Sequence, residues 1–273
     1  MSAQPPPRTD CDDWRSYLAP AVVPSEWTVL IAAAGKGSRL NYGPPKILFP
    51  VAGRPILEWL LDLVVPICET TVFVLSPDGR DRVEAILERL IPGRYRIAIQ
   101  AHASGMGDAV QIGAAEVSTP HTAVMWGDQV ALRPTSVASV ARLHAGPLRP
   151  HATVPTVFRD APYIHFERHR DGRIARLLQA REGDAMPARG ESDTGFFCFQ
   201  TQVLRRLLVD FEEQAGARGS RTAEFNLLPV IPFAAETGHT VLTPHVMDVE
   251  ETIGINTRAD AERVEAFLRR GNA

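Results

Sequence analysis

The sequence predicts an α/β fold: a mostly parallel, doubly wound sheet carrying a small antiparallel insertion. Three observations predict it. Between residues 27 and 144, short apolar runs alternate with segments of helical periodicity, the β-α-β-α succession of parallel sheets. The first run, WTVLIAA at 27–33, is continuous rather than alternating and ends beside Gly35 and Gly37, as a strand buried on both faces and followed by a tight turn would. From about 152 to 200 the pattern changes to short strand-like runs, with Asp171-Gly172 suited to a hairpin turn.

Taken in order, residues 1–26 carry Pro5, Pro6, Pro7, Pro20 and Pro24 and read as a proline-rich, loosely packed tail with a short helix near 12–18. The ordered domain is expected at 27–273, opening on the strand 27–33. Residues 55–65 place Ile56, Leu57, Leu60, Leu61 and Val64 on one helical stripe behind a proline at the first helical position. Strands follow at 71–75, 94–100 and 122–126, and helices at 80–90, 107–117 and 135–144. The insertion holds strands at 152–158, 163–167, 173–178 and 194–200. A helix is expected at 201–214, a polar flexible stretch at 215–221, and a helix interrupted by Pro229 and Pro232 at 223–238. A strand at 239–247 and a closing helix at 257–270, with a basic last turn, complete the chain.

Composition narrows the function classes. Of 273 residues 45% are hydrophobic and 22% charged, enough for a sizeable core, and the net charge of −3 carries no bias toward nucleic acid or membrane lipid. The apolar runs are strand-sized, well short of the ~20 residues that span a bilayer. The N-terminus lacks the basic start and apolar stretch of a signal peptide, so cytoplasmic residence is the expectation. Cys11, Cys68 and Cys198 are scattered and without metal-ligand spacing.

The segment LIAAAGKGSRL at 30–40, followed by Pro44-Pro45-Lys46, is the most informative. Glycines let backbone N–H groups approach an anion, and neighbouring N–H groups make a phosphate cradle. Arg39 and Lys46 can add charge-assisted hydrogen bonds. A Walker P-loop is excluded because Lys36 precedes Gly37 and Leu30 stands where its first glycine would be; a dinucleotide fingerprint fails at Leu40. A plain tight turn leaves the clustering of Arg39 and Lys46 unexplained.

AAAGKGSR at 32–39, Pro45-Lys46 and VAGRPI at 51–56 resemble the signature of sugar-nucleotide pyrophosphorylases, above all the uridylyltransferase domain of N-acetylglucosamine-1-phosphate uridylyltransferases. The resemblance runs from about Trp27 to about Arg269. It implies a Rossmann-like, GT-A-like nucleotidyltransferase fold. It also implies Mg²⁺-dependent nucleotidylyl transfer from an NTP to a sugar 1-phosphate, with Ala33, Ala34, Gly35, Lys36, Gly37 and Ser38 around the nucleotide. Four further blocks fall in the family's order. In QAHASGMGDA at 100–109, Gln100 and Gly105, with Met106 beside them, match a base-reading pair; a Gln amide and a backbone group can pair with the imide edge of uracil or thymine, so UTP or dTTP is favoured. In VMWGD at 124–128, a strand ends in Gly-Asp, placing Asp128 as a hard oxygen ligand for Mg²⁺ at the carboxyl edge of the sheet. In ESDTG at 191–195, Asp193 stands where the family carries Asn, with Thr194 beside it; Tyr163 follows Pro162 where the family has Gly-Tyr, and Gln179 replaces a sugar-binding Glu. In GINT at 254–257, Asn256 matches the second metal ligand, although an Asn there also suits a helix cap. Glu224 matches a further acceptor-side position.

The implied mechanism has the acceptor phosphate oxygen attacking the α-phosphorus in line with departing pyrophosphate, Arg39 and Lys46 offsetting phosphate charge. The alternatives are cytidylyl or guanylyl transfer to a non-sugar phosphate on the same fold, and a non-catalytic nucleotide-binding relative. No hexapeptide β-helix repeat follows the domain, so the acetyltransferase of bifunctional family members is not expected. A homo-oligomer is compatible with the sequence; a nucleic-acid or membrane partner is not expected.

Overall fold

The computed structural model describes residues 14–35, 37–43, 45–214 and 216–271; Lys36, the side chain of Ser38 and Pro5–Pro7 lie outside what it describes. The strands are β1 (Trp27–Ala32), β2 (Pro50–Val51), β3 (Arg54–Pro55), β4 (Thr70–Leu75), β5 (Tyr95–Ile99), β6 (His121–Trp126), β7 (Ala152–Thr153), β8 (Thr156–Asp160), β9 (Ile164–Arg168), β10 (Ile174–Gln179), β11 (Arg189–Asp193), β12 (Phe196–Gln200) and β13 (Val241–Leu242). The α-helices are α1 (Ile56–Val64), α2 (Arg80–Leu90), α3 (Met106–Ala114), α4 (Pro134–His144), α5 (Thr201–Glu212), α6 (Val230–Glu236) and α7 (Arg258–Gly271).

Among the described residues, a seven-stranded sheet runs β13-β7-β12-β6-β1-β4-β5. β1 pairs parallel with both β4 and β6, and β4 parallel with β5, while β12 lies antiparallel to β6 and β7. The fold class follows the expectation. Every residue of β1 is buried, which is why its run is apolar without alternation. Strand alternation divides it between two cores: Trp27, Val29 and Ile31 face one layer of helices, Leu30 and Ala32 the other. α1, α4 and α7 cover the first face and α3, α5 and α6 the second, a three-layer arrangement. The stripe foreseen for α1 is buried as Ile56, Leu57, Leu60, Leu61 and Val64, each worth about 1.5–3 kcal/mol by burial. Pro55 precedes this helix as its cap and closes the small β2–β3 hairpin.

Several elements differ from their expected form. The run at 152–158 is two strands, β7 in the main sheet and β8 paired with β11, because Pro155 has no N–H to continue a ladder. β11 (RGESD) lacks strand-forming composition; it forms through pairing with β8, and the buried Glu191 carboxylate accepts hydrogen bonds from Thr156 and Arg168. The helix expected at 223–238 is confined to α6. Phe225 gives its N–H to Ser104 O at 2.8 Å and receives that of Gly107 at 2.8 Å, so its backbone is committed to the loop before α3. Pro232 is accommodated in the first turn of α6, where N–H groups have no helical partner anyway. The strand at 239–247 shortens to β13, stopping short of Pro244. Asp171-Gly172 does turn the β9–β10 hairpin, with Gly172 at φ +86°.

Residues 14–26 lie against the body rather than away from it. Trp14 is 7% exposed and packs with Leu143 and Leu242, and Ala19 N bonds to Arg142 O at 2.9 Å.

Candidate functional site

A cleft of about 920 Å³ opens along the carboxyl ends of β1 and β6, the edge at which open α/β sheets bind ligands. Arg39, Asp128 and Asn256 line it, from three separate parts of the chain. Lys46 begins a short 3₁₀ turn after Pro45, and its ammonium reaches into the same group. Lys46 Nζ donates to Asp128 Oδ2 at 2.6 Å and to Asn256 Oδ1 at 3.0 Å; Arg39 Nη2 donates to the same Asn256 oxygen at 3.0 Å. Both partners of the Lys46–Asp128 pair are largely shielded, with side chains 14% and 17% exposed, so the attraction is screened less than on an open surface.

The local chain explains the convergence. Gly37 has φ +60°, and a Cβ there would sit 2.9 Å from Lys46 Cβ, so the glycine-rich turn closes directly over the lysine stem. Asp128 follows β6 in a turn rather than capping a helix, and its carbonyl accepts from Ile255 N at 3.1 Å, tying the two loops together. Asn256 does not cap α7 with its side chain. That task falls to Thr257, whose Oγ1 accepts from Asp260 N at 3.2 Å, and to Asp260, whose Oδ2 accepts from the amides of Asn256 and Thr257 at 3.0 and 2.8 Å. Asn256 Oδ1 is thereby free to face the cations.

The loop before α3 is built around Gln100 and Gly105. Gln100 is buried and donates its amide to Gly105 O and to Asp108 Oδ2, both at 2.9 Å. Gly105 has φ +119°, and a Cβ there would collide with the Phe225 carbonyl. With both amide protons committed, Gln100 has an acceptor, Oε1, left to offer. Met106 lines the cleft, whereas Ala33 and Ala34 are half-buried behind β1 and Gly35 is exposed.

On the opposite wall, Tyr163, Gln179 and Asp193 line the cleft. Tyr163 is exposed, and Gln179 closes β10. Asp193 Oδ2 accepts from Gly195 N at 3.1 Å, and burial holds its pKa above the usual carboxylate range against the pull of Arg159 and these N–H donors. Thr194 and Glu224 are not brought to the lining: Thr194 is fully buried with its hydroxyl toward Phe196 O, and Glu224 accepts from Arg181 at 2.9 Å. Sequence reading missed Trp126, Gln129, Arg159, Arg181 and Arg263, all of which line the cleft. Trp126 lies in the VMWGD block and Gln129 directly follows it, so both were within reach of the motif; Arg159 and Arg263 carry no motif at all.

Among the described residues, no group of three or more His, Cys, Asp or Glu side chains could cage a metal. One carboxylate and one amide oxygen gathered around a single ammonium instead suit a hard cation that takes its other ligands from water and phosphate, as Mg²⁺ does. No described helix is long and apolar enough to cross a membrane.

Comparison with known proteins covers most of the chain. Residues 29–220 match the MobA-like NTP transferase domain. The chain is 30% identical over 252 residues to the bifunctional protein GlmU of Desulfitobacterium hafniense (strain DSM 10664 / DCB-2), covering 89% of this chain and 52% of that protein. It is 27% identical over 247 residues to the bifunctional protein GlmU of Carboxydothermus hydrogenoformans (89% and 53%), and 30% identical over 249 residues to that of Burkholderia thailandensis (89% and 52%). The chain therefore spans about half the length of these relatives. Since the match covers most of the chain, from β1 through the strands that build both walls of the cleft, the protein belongs to the MobA-like NTP transferase domain family.

Proposed function

We propose that this protein transfers a nucleotidyl group from an NTP to a sugar 1-phosphate or similar phosphate, forming a nucleoside diphosphate sugar and releasing pyrophosphate. The observation that carries the reading is the meeting of Arg39, Lys46, Asp128 and Asn256 within 3.0 Å contacts at the carboxyl edge of the sheet.

An acceptor phosphate oxygen attacks the α-phosphorus, the bond to the β-phosphate oxygen breaks, and pyrophosphate leaves with that electron pair. The nucleophile is already an anion, so no general base is required, and catalysis is positioning plus charge stabilisation. Lys46, buried along its stem by Gly37, offers a fixed ammonium to the α-phosphoryl oxygens. Arg39 and the amides of the glycine turn suit the β- and γ-phosphates. Asp128 and Asn256 would hold Mg²⁺, which when bound would supply neutralisation of phosphate charge. In the present arrangement the ammonium of Lys46 sits against both of these oxygens.

UTP or dTTP is the favoured donor. The support is Gln100: its amide protons are engaged, leaving an acceptor oxygen, which matches the N3–H of uracil or thymine and not the unprotonated N3 of cytosine.

A pyrophosphate-release assay with each NTP and dTTP, Mg²⁺ and a panel of sugar 1-phosphates tests the proposal. Release that requires one base and one acceptor is expected. Binding of an NTP without release for any acceptor phosphate would overturn it in favour of a non-catalytic relative.

A further inference from the structure

Among the arginines that line the cleft, Arg159 and Arg263 carry guanidinium groups that no ion pair of the described residues uses. Arg159, at the end of β8, is half-buried; its Nη2 donates to Thr252 Oγ1, and its buried Nε has no partner. Arg263 is exposed on α7, three residues after Asp260, and so on the helix face that carries Asp260 toward the cleft. The two lie close enough for the charge of Arg263 to add to burial in pushing the Arg159 pKa down, against the opposing pull of Asp193. Among the described residues neither is in an ion pair.

Three of the carboxylates that line the cleft are otherwise engaged, and Asp160, next to Arg159 at the end of β8, is the exception. Asp193 accepts from Gly195 N and the Trp126 indole. Asp260 accepts from the amides of Asn256 and Thr257, and Glu250 pairs with Arg270. Asp193 offsets part of the charge on Arg159, and Arg263 is in no ion pair among the described residues. Two neighbouring guanidiniums in a cleft, one with an unsatisfied buried donor, repel each other until an anion bridges them; the fork geometry of arginine suits carboxylate and phosphate alike. Arg39 and Lys46 are hydrogen-bonded to the oxygens of Asp128 and Asn256, whereas Arg159 and Arg263 make no hydrogen bond to that group among the described residues, so a second cationic pair answers to a second anion.

We propose that Arg159 and Arg263 form an anion subsite that selects acceptors bearing a second acidic group, carboxylate or phosphate, in addition to the phosphate that reacts. The subsite rests on the transferase reading for its role as a selector, and its chemistry can be measured without turnover.

Calorimetric binding to the full chain would compare a neutral hexose 1-phosphate, a hexuronic acid 1-phosphate and a hexose 1,6-bisphosphate. At least one acidic compound is expected to bind about tenfold or more tightly than the neutral one, a difference of about 1.4 kcal/mol; which one does so separates carboxylate from phosphate. Arg263→Gln, on an exposed helix face, is expected to bring the ratio of dissociation constants toward one, and Arg159→Lys to lower it by removing the fork while keeping the charge. Equal affinities in the unaltered protein, no binding of any of the three, or a ratio unmoved by Arg263→Gln would overturn the subsite. Pyrophosphate release is measured separately: preferential binding without release with any NTP leaves the subsite standing and removes the transferase reading, whereas release with no preference among acceptors does the reverse.

Discussion

Lys46 and Asp128 illustrate how much of the site depends on single contacts. Each is the other's partner at 2.6 Å in a shielded position. On the proposed function, removing a cationic or metal-holding group from the site is expected to cost about 10²–10³ in turnover. Lys46→Ala and Asp128→Ala should therefore both lose activity by that factor in the pyrophosphate-release assay while keeping near-native thermal unfolding. Activity within a few-fold of the unaltered protein in either variant would remove these residues from the chemistry. Gly105 makes a different demand. Its φ of +119° and the carbonyl of Phe225 exclude any side chain. Gly105→Ala should destabilise by at least about 1–3 kcal/mol, read from the denaturant midpoint, and weaken nucleotide binding by displacing the loop that Gln100 braces. At this scale the sequence is informative for residues that sit in short blocks next to a strand end, such as Asp128 in VMWGD. It is silent on Arg159 and Arg263, which stand 104 positions apart in the numbering and mean nothing until β8 and α7 face one cleft.

Elements show where local preference is overridden. The β11 sequence RGESD has little strand propensity, yet it pairs along its whole length with β8. The opposite case is 223–229, whose composition suits a helix but whose backbone is taken by the 104–107 loop. The junction of α4 with β6 and β7 has a pH-dependent consequence. His144 is buried, stacked edge-on against Trp27 and His121, with Nδ1 against Thr153 Oγ1 at 3.0 Å. Burial pushes its pKa down from 6.5 to about 3, and His121 is also lowered by burial. Below about pH 6.5 the unfolded chain takes up a proton at position 144 that the native state refuses. Stability should therefore fall as pH drops from 6.5 toward 3, by up to about 1.4 kcal/mol per pH unit for this histidine. Urea midpoints at pH 7 and pH 5 check the sign, and His144→Phe should flatten the slope. A slope unchanged in that variant would place the acid sensitivity elsewhere.

For the whole molecule, the proline-rich start is part of the packed body at least from Trp14. Trp14 is 7% exposed in a small cluster with Leu143 and Leu242, on the outer side of α4 and the sheet edge. Trp14→Ala should lower stability by about 3 kcal/mol with little change in turnover, since the cluster does not line the cleft. An unaltered melting temperature would mean that this segment does not contribute to the fold in solution. The sequence alone determined the class of the molecule: a strand-length, continuous apolar run ending beside a glycine turn suits a central strand, and regular alternation of such runs with amphipathic helices leads to a parallel sheet. It also singled out Arg39 and Lys46 as candidates to hold phosphate, because a glycine turn and cations adjoin a strand end. Tertiary structure alone decided that Asn256 turns its oxygen to Lys46 while Thr257 and Asp260 take over the helix cap, that Thr194 is buried, and that Arg159 and Arg263 line one cleft. The physical reason is the same in each case: hydrogen bonds and packing across more than 30 residues of separation choose among local options that are close in energy, and those choices leave no periodic trace in the chain.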